Sequence, residues 1–138
     1  MRAKDFIAEI KLSGSSGSTP AKEFIKKIRE IGYINPIDPS FVIIVSNKTG
    51  FVQFELDTST LGPDWVHISF MQAHPQNSGL GTIGMKKLQQ LAAADNINLD
   101  LSVWEKGKIK PTILTKFYKN MGFKAGKNGS MIWEPNNP

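Results

Sequence analysis

The chain has 138 residues, no cysteine, and a formal net charge of +5 with a pI near 9.5. That length suits one domain spanning 1–138, large enough to bury a real core and too short for two substantial ones. Disulfide staples, thiolate metal sites and cysteine nucleophiles are excluded, and no metal is expected. No apolar run could cross a bilayer and the start MRAKDFIAEIKL lacks the apolar centre of a secretory signal, so the expectation is a soluble, cytoplasmic protein with no membrane partner. The basic balance favours an anionic partner, whether a phosphorylated cofactor, an acidic protein or a nucleic acid, without choosing among them.

Met1 to Leu12 is a short amphipathic segment with Phe6, Ile7 and Ile10 between charges, readable as a strand or a helix. Ser13 to Thr19 has the composition of a loop. Pro20 to Ile31 reads as a helix with Thr19 as N-cap, Pro20 at the first position, and Phe24, Ile25, Ile28 and Ile31 as its apolar stripe. Gly32 is the expected terminator. YINPIDPS reads as an extended loop. Phe41 to Ser46 and Phe51 to Leu56 form a predicted hairpin through Asn47 to Gly50, followed by a turn-rich connection from Asp57 to Asp64.

Trp65 to Met71 is a predicted strand, dense in β-branched and aromatic residues. Alternation would put Trp65, His67, Ser69 and Met71 on one face. Pro75 marks the connection into a helix whose apolar members Leu80, Ile83, Leu88, Leu91 and Ala92 recur at helical spacing. Gly79 and Gly81 sit where that helix begins. Amides there lack intrahelical partners and glycine lets a ligand come close, so the stretch suits an anion; a tight loop entering the helix is the alternative. Gly84 lies inside the helix, where glycine costs about 1 kcal/mol against alanine. Close packing or room for a ligand would justify it. Lys86 and Lys87 read as a solvated face or as phosphate contacts.

Asn98 to Trp104 is a further strand and Glu105 to Lys110 a charged loop. Pro111 opens a short helix through Ile113, Leu114, Phe117 and Tyr118 that ends before Gly122. Phe123 to Ala125 and Ser130 to Trp133 close the chain as a hairpin. The order predicts an α/β (α+β) fold, a mixed, mostly antiparallel sheet with flanking helices, in which a crossover sets Asn98 to Trp104 parallel to Trp65 to Met71. Ligands in open α/β sheets gather beyond the carboxyl ends of such strands.

Two phrases carry a resemblance. Gln76-Asn77-Ser78-Gly79-Leu80-Gly81 matches the Q/R-x-x-G-x-G/A motif of the GCN5-related N-acetyltransferase superfamily, and Phe117-Tyr118-Lys119-Asn120-Met121-Gly122-Phe123 resembles its FYxxxGF phrase. Together they span Trp65 to Phe123 in the family's order. The resemblance implies an acyl-CoA N-acyltransferase fold, with acetyl-coenzyme A as donor. It implies that the strand Trp65 to Met71 splays from its parallel neighbour to admit the pantetheine arm. Met71 and Ala73 would lend that arm main-chain groups, and Gln76, Asn77, Ser78, Gly79, Leu80 and Gly81, with Thr82, would wrap the pyrophosphate. Tyr118 matches the family's general acid, protonating the departing thiolate; packing at the end of its helix is the alternative. Where the family often has an asparagine near the start of the last helix, this chain has Pro111, and Thr112 is the candidate replacement.

The general base is open. Trp65 to Gln72 has no carboxylate, which leaves Glu55, with Asp57 near it, and His67, acting directly or through water. Trp65, Trp104 and Phe51 are candidates for an acceptor pocket, and His74 for a loop contact. The implied reaction is transfer of an acetyl group to a primary amine in a ternary complex. The acceptor would be a small molecule or a protein amine, and the protein a monomer or homodimer. The alternatives are a catalytically silent coenzyme A-binding or protein-interaction domain and, on charge alone, a nucleic-acid binder.

Overall fold

The computed structural model describes residues 18–76, 78–103, 111–127 and 129–136. The expectations for Met1 to Leu12, for Asn77, and for Trp104 with the charged loop after it lie outside the described residues. The elements in order are helix α1 (Pro20–Ile31), strands β1 (Tyr33–Ile34), β2 (Val42–Asn47), β3 (Gly50–Thr58) and β4 (Trp65–His74), helix α2 (Leu80–Ala94), strand β5 (Asn98–Ser102), helix α3 (Pro111–Asn120), and strands β6 (Lys124–Ala125) and β7 (Ser130–Trp133). They build one seven-stranded sheet in the order β1-β2-β3-β4-β5-β7-β6. Among the described residues only β4 and β5 pair in parallel, and the other hydrogen-bonded pairs are antiparallel. This is the mixed, mostly antiparallel sheet with flanking helices that the element order predicts.

Local chemistry accounts for most element ends. Thr19 Oγ1 accepts the Lys22 N–H at 3.2 Å, Pro20 fills the first turn, and Glu23 and Arg29 sit at the ends of α1 that suit their charges. The buried stripe of α1 is Ala21, Phe24 and Ile28; Ile31, expected in it, is exposed at the end of the helix. Tyr33 and Ile34, expected in a loop, pair with Ile43 and Val42 and form a short edge strand. Asn47 Oδ1 accepts from the Thr49 and Gly50 amides and closes the β2–β3 turn.

All three helices lie on one face of the sheet. Val52, Phe54, Leu56 and Thr58 of β3 stand opposite Ala73, Met71, Ile68 and Val66 of β4, and all of these point to that side. Phe24 and Ile28 of α1 and Leu80, Met85, Leu88 and Ala92 of α2 complete the core there. Burying one such leucine contributes roughly 2 kcal/mol. Lys27 Nζ reaches both Asp95 oxygens at 3.0 and 2.9 Å, joining α1 to the end of α2; so exposed a pair is worth at most about 1 kcal/mol. β6 runs parallel to β5, so β4–α2–β5 and β5–α3–β6 are successive crossovers of one hand, which puts α3 on the same side as α2. Gln89 Nε2, donating to Met121 O at 2.7 Å, ties the two helices.

The opposite face carries no helix among the described residues, and its side chains are largely polar. Asn35 Nδ2 donates to Gln53 Oε1 at 2.8 Å, and Gln53 Nε2 donates to Gln72 Oε1 at 2.9 Å. This ladder lets Gln53 lie buried with its amide satisfied.

Gly84 answers to packing. A Cβ placed on it would lie 2.5 Å from Val52 Cγ1 and 2.8 Å from Val52 Cβ, so its absence lets α2 settle directly onto β3. Gly84→Ala gains helix propensity but overpacks a site that cannot yield, and a net loss of about 1–2 kcal/mol is expected from urea unfolding. In a double-mutant cycle with Val52→Ala, the two losses should add to less than their sum.

Candidate functional site

The site begins where two strands part. β4 and β5 pair only from Trp65↔Asn98 to Ile68↔Leu101; β5 ends at Ser102, whereas β4 continues to His74 with β3 as its partner. The edge of β4 from Ser69 onward therefore borders a wedge, with no strand on that side among the described residues. A bulge sits at the parting point. Leu56 pairs with Ile68 and Glu55 with Phe70, which leaves Ser69 as the extra residue on β4.

The bulge corrects the expected alternation. Trp65 and His67 share the open face, but Met71 does not join them: beyond Ser69 the odd residues change sides, and Met71 and Ala73 face the helices. There they lie beneath the first turn of α2. A methyl added to Gly81 would be 3.6 Å from Met71 Cε, 3.7 Å from Phe117 Cζ and 3.9 Å from Ala73 Cβ. The wedge edge, the start of α2 and the ring of Phe117 thus meet in one place.

The loop entering α2 is built around Gly79, the N-cap, at φ +81°. That backbone needs glycine, yet an added Cβ would have no protein atom within 4 Å, so the space beside it is open. Gly81 differs: its hypothetical contacts are ordinary ones, and neither backbone nor packing demands glycine there. Ser78 Oγ donates to Pro75 O at 2.7 Å and weakly accepts the Leu80 N–H at 3.4 Å. Ile83 N–H bonds Gly79 O, so the amides of Gly81 and Thr82 precede that first helical bond. No acidic residue occupies the first turn. The positive end of α2 is therefore available to an anion. Gln76 and Thr82 are exposed at this end, while the Leu80 side chain is buried in the core. Lys86 and Lys87 are exposed farther along the helix.

Tyr118 comes to the site from α3. Its ring packs edge-on against Phe117 and Phe123 at 5.3 and 5.7 Å, and burial pushes its phenol above the ordinary value of 10.0. Its hydroxyl makes no hydrogen bond among the described residues, so it remains a protonated donor without a protein acceptor. Thr112 is exposed in the first turn of the same helix.

The opposite side of the wedge holds a group that the sequence reading missed. His67 Nδ1 lies 2.8 Å from Asp100 Oδ2 across the parallel pair, and Asp100 is buried inside β5. The hydrogen bond to Asp100 is the main reason that the imidazole titrates above its usual 6.5; burial opposes it, and the charges of Asp100 and Asp57 add to it. With Nδ1–H donated to the carboxylate, Nε2 is the free acceptor. Asp57 stands across from His67 on β3 and accepts from Ser69 Oγ at 2.6 Å. Glu55 is also on the open face, opposite Phe70, but on β3, one strand farther from the wedge than His67. The available signal for Asp100 was a lone aspartate inside an apolar strand, and aligning WVHI with NLDL sets it beside His67.

A cavity of about 730 Å³ opens over this pair, walled by Leu61, Trp65 and Ile132 and reaching Ser102 near the wedge. Asp100 Oδ1 lies in its floor region, buried and without a hydrogen-bond partner among the described residues. Trp65, one of the aromatic residues expected around an acceptor, lines this cavity. Phe51 is not in its lining: it stacks on His74 at the far end of β4, with ring centroids 5.5 Å apart. No helix among the described residues is long and apolar enough to cross a membrane.

No protein-family profile and no curated protein sequence matches the chain. Solved structures do. The anti-CRISPR protein AcrVA5 superposes with a TM-score of 0.52 at 16% identity, over 65% of this chain and 95% of its own. A putative acetyltransferase of the GNAT family from Desulfovibrio desulfuricans superposes with a TM-score of 0.51 at 15% identity, over 82% of this chain and 91% of its own. At such identities the likeness speaks for architecture alone. The chain has the GNAT, or acyl-CoA N-acyltransferase, fold.

Proposed function

We propose that this protein transfers an acetyl group from acetyl-coenzyme A to a primary amine. One observation carries the reading: among the described residues β4 has no partner on the β5 side beyond Ile68, and the start of α2, which lacks a side-chain cap, lies over Met71 and Ala73 of that free edge. An extended amide-bearing arm ending in phosphates suits that pairing, since the strand edge offers main-chain hydrogen bonds and the helix start offers amides and a positive field. When bound, the coenzyme supplies the acetyl thioester and departs as a thiol.

The chain's own groups divide the work. Main-chain groups of Met71 and Ala73 hold the arm. Gln76, Ser78, Gly79, Leu80, Gly81 and Thr82 would surround the pyrophosphate, chiefly through backbone amides, with Thr112 beside the arm. His67 Nε2 accepts the proton that the amine sheds as its nitrogen bonds to the carbonyl carbon. Tyr118 Oη gives its proton to the sulfur as the carbon–sulfur bond breaks. Asp100 holds the imidazole in the tautomer this requires. His67 is preferred to Glu55 because it adjoins the wedge and has a carboxylate to orient it.

Calorimetry with acetyl-coenzyme A tests the reading first, and thiol release with an amine panel second. Binding without thiol release would point instead to a silent coenzyme-binding domain; absence of binding would sink both. Gly81→Ala should leave urea stability unchanged or slightly improved, because its methyl fits the protein, yet weaken coenzyme binding by about tenfold or more. Equal affinity for the coenzyme would place the pyrophosphate elsewhere.

Tyr118→Phe should lower kcat by roughly a hundredfold or more, with coenzyme affinity unchanged in calorimetry. An unaltered kcat removes the phenol from the chemistry.

The pH dependence has a definite sign. The base acts unprotonated, so kcat/KM should fall as pH drops through the His67 pKa, which lies above 6.5. Asp100→Asn removes the main cause of that elevation and should move the limb to lower pH while reducing the plateau. A limb that stays in place in this variant, or persists in His67→Ala, excludes His67 as the base.

A further inference from the structure

We infer that the cavity above His67 and Asp100 receives a small primary amine with an apolar body, rather than a lysine or terminal amine of another protein. This rests on the acyl-transfer reading and names its acceptor class. Size is the first argument. The cavity is half-open to solvent and measures about 730 Å³, inside the range of roughly 300–1,000 Å³ typical of clefts that take small molecules. Its walls are the second. Leu61, Trp65 and Ile132 come from three separate segments and offer an apolar, partly aromatic lining, alongside polar residues that include Thr58, Ser59, Thr60 and Lys127.

Charge is the third argument. His67 lies between Asp100 and Asp57, and the Asp100 side chain is only 9% exposed. One of its oxygens is engaged by His67 and the other has no partner among the described residues. Lys127 also lines the cavity, so it is the unpartnered Asp100 oxygen, not the net charge of the lining, that offers an ammonium a partner. Trp65 adds a π-face on which a cation or an aromatic body can rest. The protein as a whole carries +5, which disfavours lysine-rich polypeptides. A small monoamine reaches Asp100 without crossing that basic surface as a polycation.

The test uses 2-phenylethylamine as probe and a lysine-containing peptide as its rival. The full chain, labelled with ¹⁵N at tryptophan and assigned with Trp65→Phe, is titrated with each, with and without acetyl-coenzyme A. The Trp65 indole N–H resonance should shift saturably with phenylethylamine and not with the peptide. Asp100→Asn should weaken that binding by about tenfold. Leu61→Lys, a change at an exposed rim residue that leaves folding intact, should raise the amine KM by about tenfold while the acetyl-coenzyme A affinity stays within about twofold. Thiol release should favour the small amine. No indole shift, or equal or faster acylation of the peptide, overturns the inference even if coenzyme binding and transfer stand. If the indole responds as expected but the coenzyme does not bind, the amine cavity survives and the acyl-transfer reading falls.

Discussion

The parting of β4 from β5 is the constraint on which the rest of this site depends. Two parallel strands normally satisfy each other's main-chain groups along their whole length, because an unpaired buried amide or carbonyl is costly. Here the pairing stops after Ile68↔Leu101, and six residues of β4 continue beyond it. The bulge at Ser69 belongs to the same event. It bends β4 away and exchanges the faces of the residues that follow, so that Met71 and Ala73 turn under α2 while His67 stays on the open side. One extra residue thus gives a single strand contacts to both sides of the wedge.

The glycines around α2 serve different ends, and separating them sharpens the site. Gly84 lets the helix lie on Val52, and Gly79 supplies a left-handed cap. Gly81 is required by neither, which makes the space it leaves beside Met71, Ala73 and Phe117 a property of the site and not of the fold. The two sides of the sheet divide in a comparable way. The helix-covered face is apolar and holds the molecule together; the open face carries the Asn35–Gln53–Gln72 ladder and the His67–Asp100 pair. Burying Asp100 inside an otherwise apolar strand costs stability, and its hydrogen bond to His67 offsets only part of that. A fold that keeps such a group spends stability on positioning an imidazole.

Much of the architecture was legible because it rests on local signals. The Thr19–Pro20 start of α1, the Asn47 turn and the closing hairpin each follow from residues within a few positions of one another, and each is found where expected; the apolar period of α2 puts Leu80, Leu88 and Ala92 in the core, but Ile83, expected with them, is exposed. Tyr33 and Ile34 carry no period of their own, because only three residues separate Gly32 from Pro36. Their strand exists only because β2 presents an edge. The placing of Met71 failed for a related reason: strict alternation assumes an unbroken ladder, and no residue near Ser69 announces a bulge. Gln76 to Gly81 and the Phe117 to Phe123 phrase were readable as a resemblance, and the superposed solved structures agree with the architecture which that resemblance implies.

By itself the sequence determined the elements, their order, the crossover that makes β4 and β5 parallel, and the glycine-marked helix start, because propensity, capping and periodicity act over short distances along the chain. Only the tertiary structure decided what stands beside what. The register His67↔Asp100 joins residues 33 positions apart, so the carboxylate bonded to His67 stands on the neighbouring strand. The wedge, the change of face at Ser69 and the cavity over the dyad are likewise relations between strands. They depend on how far two ladders run together, a quantity set by the packing of the whole sheet and carried by no single stretch of residues.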